Sequence, residues 1–286
     1  MQKIGVALGA GGARGLAHIV VLQAFEELGI KPSVISGTSI GAIIGAALAA
    51  GLSSEEMKLA VLDILPPRRT RSWPLYDAAE FRIAASLLDP TMEAGGLIKG
   101  EKFLRFLQST INTSRFEDLQ IPLLVVATDY WKREQVVFSK GNLMKAVRAS
   151  YSMPSFFVPV KIGKNLYVDG GLMNPLPYDI IRSRCDISVA IDVSVTETTK
   201  KSETPHAQEV LFSAFQILQN SIVREKLRQT RPDILIKTNI KNVRALEFTK
   251  ANSIYEQALP AKEELKRKLV TSNVRRKGVL SNSSST

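Results

Sequence analysis

The stretch Val34-Ile35-Ser36-Gly37-Thr38-Ser39-Ile40-Gly41-Ala42-Ile43-Ile44-Gly45-Ala46-Ala47-Leu48-Ala49-Ala50 decides the fold. Val34-Ile35 reads as a short strand running into Gly37. Ile40 to Ala50 is apolar on every side, as a helix inside a core is, and Gly51 ends it. Between them stands Gly37-Thr38-Ser39-Ile40-Gly41. A strand that turns sharply into a helix puts the serine in a strained conformation with its Oγ exposed at the strand end, and the flanking glycines remove Cβ atoms that would clash there. The helix N-terminus then favours a developing negative charge beside that oxygen. The same five residues also suit a plain strand-to-helix turn built from small side chains. A membrane reading exists too: Ser33 to Leu52 is twenty residues without a charge, above the roughly 18 that mark a spanning helix. Ser33, Ser36, Thr38 and Ser39 break its apolar character, so a buried strand–turn–helix fits better.

Upstream, Ile4 to Leu8 is an apolar run suited to a buried strand. Gly9-Ala10-Gly11-Gly12-Ala13-Arg14-Gly15 follows, and then apolar residues at helical spacing from Leu16 to Leu28. Small residues at a helix start leave backbone N–H groups open to an anion, either a nucleotide phosphate or the oxyanion of an acyl intermediate. The dinucleotide pattern G-x-G-x-x-G fails at Arg14 in one register and at Ala10 in the other. Ile35 and Ser36 stand where its ribose-binding acid belongs. A glycine loop after the first strand and an elbow after the second reach one sheet edge if the two strands are parallel neighbours. Gly9, Gly11, Gly12 and Arg14 also interrupt what would otherwise be the apolar core of a secretory signal, so none is expected.

Downstream, strand and helix patterns alternate: a strand over Ile121 to Thr128, another at Val136-Val137-Phe138, a helix over Leu143 to Ala149 and a hairpin around Gly163-Lys164-Asn165. A strand over Ile187 to Val193, a long helix over Val210 to Leu227, a strand at Ile234-Leu235-Ile236 and a helix over Ala251 to Leu269 follow. This alternation predicts an α/β fold, three-layer α/β/α, with a mostly parallel central sheet. The expected organisation is a catalytic domain over 1–195, a C-terminal helical extension with one strand packed on it over 196–271, and a disordered Ser- and Asn-rich tail over 272–286. Residues 66–99 read as an insertion. Arg68, Arg69 and Arg71 beside Trp73 and Leu75 suit a lid against an anionic interface, or a solvated loop. Asp169-Gly170-Gly171 closes the hairpin; in isolation it reads as an ordinary Asp-Gly turn.

The 286 residues suffice for one large core. There are 38 Lys and Arg against 27 Asp and Glu, a formal charge of +11, which favours anionic surfaces or simply solubility. No aromatic–basic motif supports a nucleic-acid partner. The run Lys262 to Lys268, with Arg275-Arg276-Lys277 beyond it, suits anionic lipid or a solvated face. The single Cys185 allows no intrachain disulfide, which fits a cytoplasmic location. Only His18 and His206 are present, too few for a histidine-cluster metal site.

The joint pattern resembles the patatin-like phospholipases: a loop at Gly11-Gly12-Ala13-Arg14-Gly15, the elbow around Ser39, then Asp169-Gly170-Gly171. Ala149 to Pro159 resembles the stretch that precedes the aspartate in that family, and Ala10 departs from it where many members have glycine. The resemblance spans roughly residues 3–195. It implies a Ser39–Asp169 dyad and no triad, with Gly11, Gly12 and Ala13 as oxyanion donors and Arg14, Gly15, Gly37, Gly41, Gly170 and Gly171 supporting the motifs. It implies hydrolysis of a lipid acyl ester, phospholipid or lysophospholipid, without metal or cofactor; the basic charge and residues 66–99 add an expected transient, peripheral contact with an anionic membrane surface. His206, after the aspartate, nominally allows a triad order. A catalytically silent regulatory or scaffold protein of the same fold is the competing expectation.

Overall fold

The computed structural model describes residues 2–64, 89–91, 96–194 and 207–282. The first strand, β1 (Ile4–Leu8), leads through a 3-10 turn at Gly12–Leu16 into α1 (Ala17–Glu27). Then come β2 (Val34–Thr38), α2 (Ile40–Ala50), α3 (Ser54–Ile64) and α4 (Glu101–Ile111). The middle of the chain forms β3 (Leu123–Asp129), β4 (Glu134–Phe138), α5 (Leu143–Ser150), β5 (Val160–Ile162) and β6 (Asn165–Asp169). The last part forms β7 (Ile187–Asp192), α6 (Ala207–Gln229), β8 (Ile234–Lys237) and α7 (Ala251–Asn282).

Alternation along the strands sorts the core into two faces. Val6 and Leu8 of β1, Ile35 of β2, Val125 of β3 and Val189 and Ile191 of β7 face α1, α2, α5 and α7 in the main core. Ala7, Val34, Leu124 and Ala190 point the other way, onto Leu176, Tyr178, Ile181 and Val223 of α6. The sheet is thus covered on both sides, as the three-layer expectation requires. Its order is β5-β6-β3-β2-β1-β7-β8, with β4 also paired to β3. The pairs β1–β2, β1–β7, β2–β3 and β7–β8 are parallel, whereas β3–β4, β3–β6 and β5–β6 are antiparallel. The sheet is therefore mixed, with its antiparallel ladders gathered around β3.

The register on β3 positions the site. Thr38, the end of β2, lies opposite Val126, and Asp169, the end of β6, lies opposite Ala127. Strand β4 occupies the other edge of β3 at both places, pairing Val126 with Val137 and Ala127 with Val136. Strands β2 and β6 therefore share one edge of β3, approach from opposite directions and meet end to end. Residues 38 and 169 become neighbours although they belong to different motifs.

Strand β2 extends further than Val34-Ile35. Ser36 and Thr38 are buried in it because their hydroxyls donate to the Pro177 and Asn174 carbonyls, at 2.8 and 2.7 Å. The uncharged stretch Ser33 to Leu52 resolves into β2 and α2 inside the core. In α7, Ala251, Ile254, Ala258, Ala261, Leu265 and Leu269 form one buried stripe in the same core as α1. The lysines read as a lipid-facing run are engaged elsewhere: Lys262 and Lys266 grip Glu27 at 2.7 and 2.5 Å, and Lys268 donates to the Leu235 carbonyl. Helix α7 continues to Asn282, past Ser272, where composition predicts loss of order. Extending a formed helix avoids the cost of nucleating one. Of the stretch 66–99, residues 66–88 and 92–95, with the arginines and Trp73, lie outside the described residues, as does His206.

Candidate active site

Ser39 stands at the junction of β2 and α2 with φ 56° and ψ −120°. A non-glycine residue there is strained by about 1–3 kcal/mol, and such strain persists only where the surroundings impose it. They do so here. The Ser39 N–H donates to Ser150 Oγ at 2.9 Å, and its carbonyl accepts from Ala42 and Ile43 in the first turn of α2. Gly41 allows the turn to close, since a Cβ at that position would lie 2.2 Å from the Leu8 carbonyl oxygen.

Ser39 Oγ donates to Asp169 Oδ2 at 2.7 Å. Asp169 is held at every polar atom. Its N–H donates to the Ser152 carbonyl, its own carbonyl accepts from Thr128 Oγ1, and its Oδ1 accepts from the Gly171 N–H at 2.7 Å. The carboxyl is buried. Burial pushes its pKa up to about 7, although the Gly171 and Ser39 hydrogen bonds pull the other way.

The glycine loop packs beside this pair, and Gly11 and Gly12 line the same cavity as Ser39 and Asp169. Gly12 has φ +57°, and a Cβ there would meet the Ala245 carbonyl oxygen at 2.3 Å. The N–H groups of Gly11 and Gly12 have no hydrogen-bond partner among the described residues. Ala13 differs: its N–H donates to the Ala245 carbonyl at 2.7 Å. That bond removes it from the expected donor set. Ala10 has no positive φ, so its methyl group costs the backbone nothing, and its N–H donates to the Pro175 carbonyl. Arg14 is buried and donates to the Val243 carbonyl at 2.9 Å, bracing the loop against residues 243–245. Gly15 packs on Ile40, Gly37 on Gly41 and Gly170 on Val126, each too close for a side chain. His18 is fully buried; its Nε2–H donates to the Gly9 carbonyl, and burial pulls its pKa down to about 4, so it is neutral support for the loop.

A cavity of about 550 Å³ opens on Ser39. Its walls are mainly apolar: Ile43 and Ala47 of α2, Met57 and Val61 of α3, Phe103 and Phe106 of α4, and Phe212 and Phe215 of α6. Ile98, at the end of the 66–99 stretch, also lines it and bridges to Phe157. Several contributors escape a reading of the sequence. Ser150 anchors the elbow from α5. Gln219 of α6 sits against the Asp169 turn, 2.0 Å from where a Gly171 side chain would begin. Arg148, buried, donates to Ser152 Oγ and to the Lys99 and Val158 carbonyls. Ser150 and Arg148 fall within the Ala149–Pro159 neighbourhood or at its edge, but only the folded contacts give them roles.

A family model described as patatin-like phospholipase matches residues 6–181. An uncharacterized NTE family protein of Mycobacterium tuberculosis is 34% identical over 196 residues, 68% of this chain and 50% of that protein. Patatin-like phospholipase domain-containing protein 6 of Homo sapiens is 34% identical over 204 residues, 70% of this chain and 14% of that protein. The chain thus spans about half the length of the mycobacterial relative and a small part of the human one. The structure of VipD from Legionella pneumophila is similar in fold, with a TM-score of 0.50 and 17% identity over 92% of this chain and 67% of that one. The matched span takes in the glycine loop, the elbow and the Asp-Gly-Gly turn together, and by that match the chain belongs to the patatin-like phospholipase family.

Proposed function

We propose that the chain is a serine acyl-hydrolase that cleaves lipid acyl esters through an acyl-enzyme on Ser39. The observation that carries this reading is the 2.7 Å bond from Ser39 Oγ to buried Asp169, in the wall of an apolar cavity of about 550 Å³. Family membership supports a lipid substrate. Cavities of roughly 300–1,000 Å³ with few polar groups suit apolar ligands, and an acyl chain is such a ligand.

In the proposed reaction, ionised Asp169 takes the Ser39 proton as Oγ attacks the acyl carbonyl. The oxyanion accepts from the Gly11 and Gly12 N–H groups; one such donor is worth about 10²–10³ in rate. The alcohol leaves with the proton held on Asp169. Water then attacks the acyl-enzyme, Asp169 accepts its proton, and the fatty acid departs as Ser39 is restored. A base with a pKa near neutrality is both available and strong enough. The same proposal includes peripheral contact with an anionic bilayer. The formal charge of +11 supports it. So do exposed Val210, Leu211, Ile217 and Leu218 on the helix whose other side lines the cavity. Among the described residues no helix is long and apolar enough to cross a membrane.

The test is labelling by a fluorophosphonate probe together with release of a chromogenic acyl ester. Wild type labels at Ser39 and turns over, whereas Ser39→Ala does neither. A wild-type chain that neither labels nor hydrolyses any of a panel of lipid esters would establish the silent scaffold instead.

A further inference from the structure

The segment Asn174-Pro175-Leu176-Pro177 touches all three catalytic motifs. The Pro175 carbonyl accepts from the Ala10 N–H of the glycine loop at 2.8 Å. The Asn174 and Pro177 carbonyls accept from Thr38 and Ser36 of the strand that carries Ser39. The Asn174 N–H donates to the Gly170 carbonyl, in the turn that begins at Asp169, at 2.9 Å. The relative placement of nucleophile, base and oxyanion loop therefore depends on where this one segment sits.

A segment with two prolines has few backbone N–H groups with which to fasten itself. Its fastening comes from α6, beyond the stretch that the family model covers. Lys226 Nζ donates to Asn174 Oδ1 at 2.6 Å, to the Leu176 carbonyl at 2.9 Å and to Asp179. Its ammonium lies 4.7 Å from the centre of the Tyr178 ring, and its side chain is only 17% exposed. Asn174 Nδ2 donates to Asp179 as well, at 3.0 Å, so lysine, asparagine and aspartate form one closed cluster. A desolvated ammonium with three acceptors converging on it holds those acceptors in one geometry.

We propose that Lys226 is a positioning residue for the Ser39–Asp169 dyad, acting through the Asn174–Pro177 segment. It touches no substrate, and the proposal rests on the serine-hydrolase reading above. Loss of its ammonium leaves the motifs folded but frees their mutual placement. A misplacement of about 1 Å can cost on the order of 10² in rate.

The experiment compares wild type with Lys226→Met, Lys226→Arg and Asp179→Asn in the full chain. Steady-state kinetics on a p-nitrophenyl butyrate assay are normalised to sites labelled by fluorophosphonate, and melting is followed separately. Lys226→Met should lower kcat per labelled site about tenfold or more while KM changes by less than about threefold. Lys226→Arg, which keeps the charge, should recover part of the loss. A folded Lys226→Met with kcat per site within about twofold of wild type overturns the proposal, because a purely structural role lowers only the melting temperature. If Lys226→Met does not melt cooperatively, Asp179→Asn decides: a loss of about threefold or more is expected, and an unchanged kcat overturns the inference. A wild type that fails to label overturns the hydrolase reading itself, a different result from labelled, unaffected variants.

Discussion

The family-matched part of the chain, residues 6–181, and the part beyond it, residues 207–282, contribute differently to one site. The first supplies every group that reacts in the proposed mechanism: Ser39, Asp169 and the open N–H groups of Gly11 and Gly12. The second supplies walls and fastenings. Phe212 and Phe215 line the cavity, Gln219 backs the Asp169 turn, and Lys226 donates to the Asn174–Pro177 segment. Val243 and Ala245 accept from Arg14 and Ala13 of the glycine loop. In the proposed mechanism the chemistry thus rests on short motifs within the matched part, while a region without a motif adds to the fit and placement. Changes in the first region should abolish the reaction, and changes in the second should redirect or weaken it.

The sharpest break in that comparison is Asp169→Asn. The amide keeps the shape of the carboxyl but cannot accept the Ser39 proton, so kcat should fall about 10³-fold or more, measured as burst-corrected ester release. The same change should stabilise the fold at alkaline pH. The Asp169 pKa lies near 7 in the fold against an ordinary value of 3.8. Its contribution to stability is therefore fully present below about 3.8 and is lost as pH rises through about 7. Asparagine is spared that loss. Its melting temperature should exceed wild type by a few degrees at pH 8, on the order of 2 kcal/mol, and match it near pH 4. Equal curves at both pH values would mean that Asp169 is not desolvated.

The wild-type pH profile comes next in size. Because the base must be ionised, kcat/KM should rise with a midpoint near 7 and fall about tenfold per pH unit below it. A midpoint near 4 would transfer the general-base role to a more exposed carboxylate. In the second region, Phe212→Ala with Phe215→Ala should lower kcat/KM for long-chain esters about tenfold while leaving a butyryl ester nearly unchanged. Equal losses on both would mean that these rings serve the fold rather than the acyl chain. The smallest effect is expected on the outward face of α6. Ile217→Gln with Leu218→Gln should weaken binding to anionic vesicles a few-fold without altering turnover of the butyryl ester. Unchanged vesicle binding would remove this face from the proposed membrane contact.

How much of this was legible in the sequence follows from how local each signal is. The elbow at Ser39 is local: glycines, a strand before and an apolar helix after all lie within a few residues, and the structure places them so. Strand–helix alternation gave the layers for the same reason. Asp169 is not local. Its Asp-Gly-Gly turn is ordinary by itself, and its meeting with Ser39 depends on the register of β2 and β6 along one edge of β3. Ala13 shows the opposite hazard. The motif counts its N–H as an oxyanion donor, but a carbonyl far down the chain, that of Ala245, claims it. Buried Ser36 and Thr38 hid the length of β2, because their polarity is satisfied by carbonyls that no local pattern announces. Lys226 and Gln219 lie on a helix that the sequence marks only by its length.

The end-to-end meeting of β2 and β6 has a consequence for when the site can exist during synthesis. Ser39 emerges from the ribosome well before Asp169, and the two are 130 residues apart in sequence. In the proposed reaction the base is Asp169, so the elbow lacks that partner until residue 169 has been made. Long-range pairings of this kind are slow to form. On the proposed reading the dyad is complete only once β6 has docked on β3, so folding itself would time the onset of activity.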